Sequence, residues 1–132
     1  MAEAPGHQPL PDAPERVVEL PLEAEAFLTH LTVERGRSEK TVRAYRSDLR
    51  RYAAFLGSQS PSGRVVEVLS AGAADVETYS AHLRDSGLAA STVTRMLVSV
   101  RGLYLYLETE GTISADPSSS VELPGQLDSL PR

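Results

Sequence analysis

The stretch SEKTVRAYRSDLRRYAAFL, residues 38–56, decides the fold. Its apolar positions Val42, Tyr45, Leu49, Tyr52, Ala53 and Leu56 recur three and four apart. That is the period of an amphipathic α-helix, whereas a half-buried strand would alternate by two. Ser38 stands where an N-cap belongs, because its hydroxyl can accept a hydrogen bond from an otherwise unpaired N–H of the first turn. At about 100° per residue the apolar positions fall on one side of the wheel. Lys40, Arg43, Arg46, Ser47 and Arg50 lie opposite, with Arg51 at their edge. The pattern predicts a helix over 39–56 with one face for a core and one for solvent.

Three further stretches carry the same period. Before it, Pro21 suits a first helical turn, and Ala24, Phe27, Leu28 and Leu31 predict a helix over 22–34 that Gly36 ends. After it, GSQSPSG (57–63) is built of turn residues, and Val65, Val66, Val68 and Leu69 read as an extended connector packed on the helices. Val76, Tyr79 and Leu83 predict a helix over 73–85, followed by Gly87. The widest apolar stripe, Val93, Met96, Leu97, Val100, Leu103, Tyr104 and Leu107, predicts a helix over 91–110 stopped by Gly111. Asp116-Pro117 resembles an N-cap and first position, enough for one helical turn over 117–122. The fold class expected is all-α, a bundle of four amphipathic helices. Pro5, Pro9, Pro11 and Pro14 follow no period. A disordered leader is therefore expected over 1–20, a helical domain over 21–116 and a linker over 117–132.

Charge is unevenly spread. The 132 residues carry a net −5, yet seven of the thirteen Lys and Arg lie between Arg35 and Arg51. Glu34, Glu39 and Asp48 oppose them locally. The local field, not the total, is what a phosphate meets. A helix with a cationic outer face matches the width of a DNA major groove, and arginine suits both phosphate and guanine. The same face also suits a solvated surface that keeps a domain soluble. On the last helix Ser91, Arg95, Ser99 and Gly102 are spaced along a side expected to face outward. Such small residues admit either a DNA backbone or another protein.

Other chemistries find no footing. The chain has no cysteine, which removes disulfides and thiolate sites. His7, His30 and His82 share no ligand spacing, so no metal or other cofactor is expected. Tyr45, Tyr52, Tyr79 and Tyr104 sit on buried stripes, with Tyr106 on a flank, and core packing is the reading for them. No glycine-rich phosphate loop and no G-x-S-x-G elbow occurs. No catalytic residue and no small-molecule substrate is expected. Neither a secretory signal nor a membrane span is legible, so a cytoplasmic location is expected.

The block FLTHLTVERGRSEKTVRAYRSDLRRYAAFL (27–56) resembles the start of the core-binding, SAM-like domain of tyrosine site-specific recombinases. The nearest branch is the Xer type, with phage integrases more distant. The positions that carry the likeness are Ser38, Thr41, Tyr45, Asp48 and Leu49. GLAASTVTRMLVSVRGLYLYLETEG (87–111) resembles that domain's last long helix, and DPSSSVELP and LDSLPR resemble the run into an interdomain linker. The resemblance implies a domain that grips duplex DNA with its second and fourth helices. Strand cleavage would belong to a separate domain following the linker, and protomers would assemble as a tetramer in the full enzyme. It implies DNA contacts by Lys40, Thr41, Arg43, Arg46, Ser47 and Arg50 on one helix, and by Ser91, Thr92, Arg95 and Ser99 on the other. The rival expectation is a helical module that binds another protein and no DNA.

Overall fold

A computed structural model describes residues 19–58 and 66–123. Among these residues lie four α-helices and no strand: α1 (Leu22–Val33), α2 (Glu39–Ser58), α3 (Ala73–Arg84) and α4 (Ala90–Thr109). The expected leader up to residue 18, most of the 57–63 loop with Val65, and the linker from 124 onward lie outside the described residues.

Local signals set the ends. The Ser38 hydroxyl accepts from the Thr41 N–H at 3.1 Å and so caps α2. Gly36, at φ +65°, takes the left-handed turn that leaves α1, a conformation any Cβ would strain. At the N-terminus of α3 the Asp75 carboxylate reaches back to accept from the Gly72 N–H at 2.9 Å. The Asp116 carboxylate accepts from the Ser118 N–H at 2.7 Å and from its hydroxyl at 2.6 Å, which shapes a turn over 117–120 instead of a helix.

Helix α4 packs against each of the other three helices, and α2 packs against both α1 and α3. Its buried stripe holds Val93, Met96, Leu97, Val100, Leu103, Tyr104 and Leu107, as the periodicity required. Around it close Ala24, Phe27, Leu28 and Leu31 of α1, Leu49, Tyr52, Phe55 and Leu56 of α2, and Val76, Tyr79 and Leu83 of α3. Gly102 gives α1 its close approach, since a Cβ there would stand 3.2 Å from Phe27 Cζ.

The connector after α2 forms a short 3-10 turn, Val68–Ser70, with Val68 buried. Tyr104 Oη donates to the Val68 carbonyl at 2.7 Å, so the hydroxyl of Tyr52, 2.7 Å away, is left to donate to Tyr104. Burial holds both phenols un-ionised well above their ordinary range. Packing also continues beyond 116: Ser118 and Val121 are buried, Ser120 donates to Glu77 at 2.8 Å, and Arg84 donates to the Glu122 carbonyl. Leu20 at the other end packs on the core as well.

Candidate nucleic-acid interface

Helix α2 is twenty residues long and meets the wheel only in part: Lys40 and Arg43 face solvent as expected, whereas Arg46 and Arg50 are half-buried, with Arg50 Nε buried. Lys40, Arg43 and Arg51 are exposed. Lys40 and Arg43 have no carboxylate at ion-pair distance among the described residues. Thr41, Arg46, Ser47 and Arg50 are half-buried along the margins of that face. Arg46 does not point wholly to water: its Nη1 donates to Glu25 Oε2 on α1 at 2.5 Å. Thr41 is engaged in the cap, accepting from the Ser38 hydroxyl at 3.1 Å.

On α4, Ser91 and Arg95 are exposed and Thr92 is half-buried. Ser99 departs from expectation: it is fully buried and turns toward α2, not outward. Its hydroxyl donates to Asp48 Oδ2 at 2.8 Å. Gly102 likewise faces α1. From Ser99 onward the side taken for an open one is the seam where α4 meets α1 and α2, so Ser99 is removed from the candidate surface, while Ser91 and Arg95 remain on it.

The residue that reading the sequence missed is Asp48. The sequence marks it as a charge opposing its neighbours and as a position of the family likeness, yet it is 3% exposed, and the same Oδ2 also accepts from Arg95 Nη1 at 3.1 Å. The signal was available in its spacing. Asp48 falls one turn from Tyr52 and two from Phe55, so it lies on the margin of the buried stripe. The pairs Asp48–Ser99 and Tyr52–Tyr104 advance together along both helices. Helices α2 and α4 therefore run in the same direction, and their N-terminal halves lie toward one end of the bundle. Of the expected residues, Lys40, Arg43 and Ser47 on α2 thus share an end with Ser91, Thr92 and Arg95, while Arg50 lies past the middle of α2.

The tyrosines are packing residues. Tyr52, Tyr79 and Tyr104 are buried against one another and Phe55, while Tyr45 and Tyr106 flank Phe27. His30 and His82 pack against Tyr106 and Phe55 with tilted rings, each at 5.0 Å between centroids. Among the described residues no three His, Asp or Glu side chains gather as metal ligands, and no helix is long and apolar enough to cross a membrane.

Residues 24–111 match the family described as phage integrase, N-terminal SAM-like domain. The chain belongs to this family. Among curated proteins this SAM-like domain is similar to the tyrosine recombinase XerC of Chlorobaculum parvum, 40% identical over 110 residues. That match covers 82% of the chain and 33% of the relative. It is also similar to the tyrosine recombinase XerD of Mycobacterium tuberculosis, 34% identical over 120 residues, covering 86% of the chain and 37% of the relative. The SAM-like chain thus spans about a third of the length of these relatives. No solved structure matches it.

Proposed function

We propose that this SAM-like domain binds duplex DNA through the outer face of α2 and the first turns of α4. In this reading it is the DNA-gripping N-terminal part of a tyrosine recombinase acting in site-specific recombination, assembled with further protomers at paired sites in the cytoplasm. The observation that carries the reading is the exposed cationic face of α2 set alongside the N-terminal half of α4. Lys40 and Arg43 are there for phosphates, with half-buried Arg50 at the margin, and Arg95 stands one turn in from Ser91. Residue Ala89 gives α4 no side-chain cap, so its first N–H groups also suit a phosphate oxygen.

The test is a salt titration of the chain on a 30-bp duplex, read by fluorescence anisotropy. With about four to six phosphates contacted, log K falls against log salt with a slope of roughly −4 to −5. Lys40→Glu with Arg43→Glu removes two exposed cations that hold up nothing in the fold, so helical content is expected to stay and the slope to shrink by about 2. Arg46 is left out of that pair because a glutamate there would face Glu25. A salt-independent affinity, or a folded double variant that binds as before, defeats the DNA reading.

A further inference from the structure

Asp48 poses a question that neither fold nor charge answers. A buried carboxylate is costly to desolvate, and an apolar residue of similar volume packs a helix seam at least as well. The arrangement around it is specific. Ser99 and Arg95, four residues apart on α4, both donate to the same oxygen, at 2.8 Å and 3.1 Å. The Ser99 hydroxyl also lies 3.2 Å from the Arg95 carbonyl, so acid, serine and arginine are mutually linked. Yet the Arg95 side chain remains 46% exposed. Only Nη1 is engaged, and Nε and Nη2 have no hydrogen-bond partner among the described residues. These two are the adjacent, parallel donors with which a guanidinium grips a pair of acceptors.

Resting on the proposed DNA contact, we infer that Asp48 is a positioning residue: it holds Arg95 by Nη1 and offers the Nε–Nη2 edge, already ordered, to O6 and N7 of a guanine. An arginine free in water gives up its rotamer freedom equally on any phosphate, whereas one held in a fixed plane favours planar, paired acceptors. The Asp48 charge itself repels the DNA backbone. It therefore lowers affinity for duplex of any sequence while raising discrimination between sequences, and these two effects have opposite signs.

That opposition supplies the test. A 20-bp duplex is first enriched from a randomised pool by the unaltered chain, and a scrambled duplex of the same composition serves as control. Asp48→Asn is expected to bind the scrambled duplex up to about twofold more tightly and to lose about tenfold in the selected-to-scrambled ratio. In an Arg95→Ala background, Asp48→Asn is expected to leave the ratio where it is. Replacing guanines of the selected duplex by 7-deazaguanine, one at a time, should reproduce the loss at one position for the unaltered chain and cause none in Arg95→Ala. Ser99→Ala, which keeps the carboxylate, should move the ratio the same way by less, and it carries the test if Asp48→Asn lacks helical content. If both affinities of Asp48→Asn change by one factor, or if its effect persists without Arg95, the acid is merely structural and the inference is overturned. A chain that binds no duplex at low salt overturns the DNA reading beneath it, an outcome distinct from DNA binding whose discrimination ignores Asp48.

Discussion

Replacing Tyr104 by phenylalanine should cost far more than the same change at Tyr52, although the two rings differ little in burial. The direction of the hydroxyl chain is the reason. Tyr104 donates to the Val68 carbonyl and accepts from Tyr52, each at 2.7 Å. Tyr104→Phe therefore removes two hydrogen bonds and leaves both a donor, Tyr52 O–H, and an acceptor, the Val68 carbonyl, buried. A net hydrogen bond is worth about 1 kcal/mol, and an orphaned buried group costs about 1–3 kcal/mol. The expected loss is about 3 kcal/mol. Tyr52→Phe removes one bond and orphans no donor, because the Tyr104 proton stays on Val68, and about 1 kcal/mol is expected. Urea titration followed by circular dichroism at 222 nm measures both. For a domain of this size the larger loss moves the midpoint by about 2 M at unchanged slope. Equal losses, or the reverse order, would refute the assigned donor direction and with it the role of Tyr104 as the anchor of the connector.

Gly102→Ala should destabilise despite alanine's better helix propensity. Its Cβ would stand 3.2 Å from a Phe27 ring already flanked by Tyr45 and Tyr106, and the overpacking, about 1–3 kcal/mol, exceeds a propensity gain of about 1 kcal/mol. A rise in Tm would show that Phe27 can move aside. Alkaline pH should also unfold the protein. The folded state keeps its protons on Tyr52 and Tyr104 where unfolded phenols ionise near 10, so stability is full below about pH 10 and falls above it. The slope approaches about 1.4 kcal/mol per pH unit for each phenol. Chemical denaturation at pH 9, 10 and 11 reads this slope, Tyr104→Phe should lessen it, and a flat profile would contradict the burial of the pair.

The helices were legible because each of their stripes serves one neighbour-facing side at one period. The expected 22–34, 39–56, 73–85 and 91–110 lie within two residues of the observed bounds. What escaped was governed by partners remote in sequence. The connector was expected as extended chain, yet Val68–Ser70 turns into a 3-10 segment whose Val68 carbonyl is held by a tyrosine thirty-six residues later. Ser118 and Val121 pack on the bundle although proline and serine gave their stretch the look of a linker. Ser99 and Gly102 were placed outward because small polar residues are ambiguous on a wheel: they suit water, and they equally suit a seam where helices approach closely. Asp48 was given no face at all. A charge on a wheel argues for solvent and its spacing beside Tyr52 and Phe55 argues for the seam, and only its partners on the last helix decide between the two.

The two acids that reach the candidate interface divide its cations into two kinds. Glu25 holds Arg46 and Asp48 holds Arg95, each from a different helix, while Lys40 and Arg43 have no such partner among the described residues. The Arg46–Glu25 pair is partly exposed on both sides and adds little to stability. Its effect is to orient a side chain that would otherwise sample many rotamers. Cations without partners follow phosphates wherever these lie, and they supply affinity that is sensitive to salt and indifferent to sequence. Cations held in place carry geometry, and geometry is what distinguishes one base edge from another. On the proposed DNA contact, a chain of net charge −5 would serve a polyanion on these terms, because two of its acids pair with arginines across helices. It follows that salt should weaken binding to selected and scrambled duplexes alike. The ratio between the two should depend on Asp48 far more than on ionic strength.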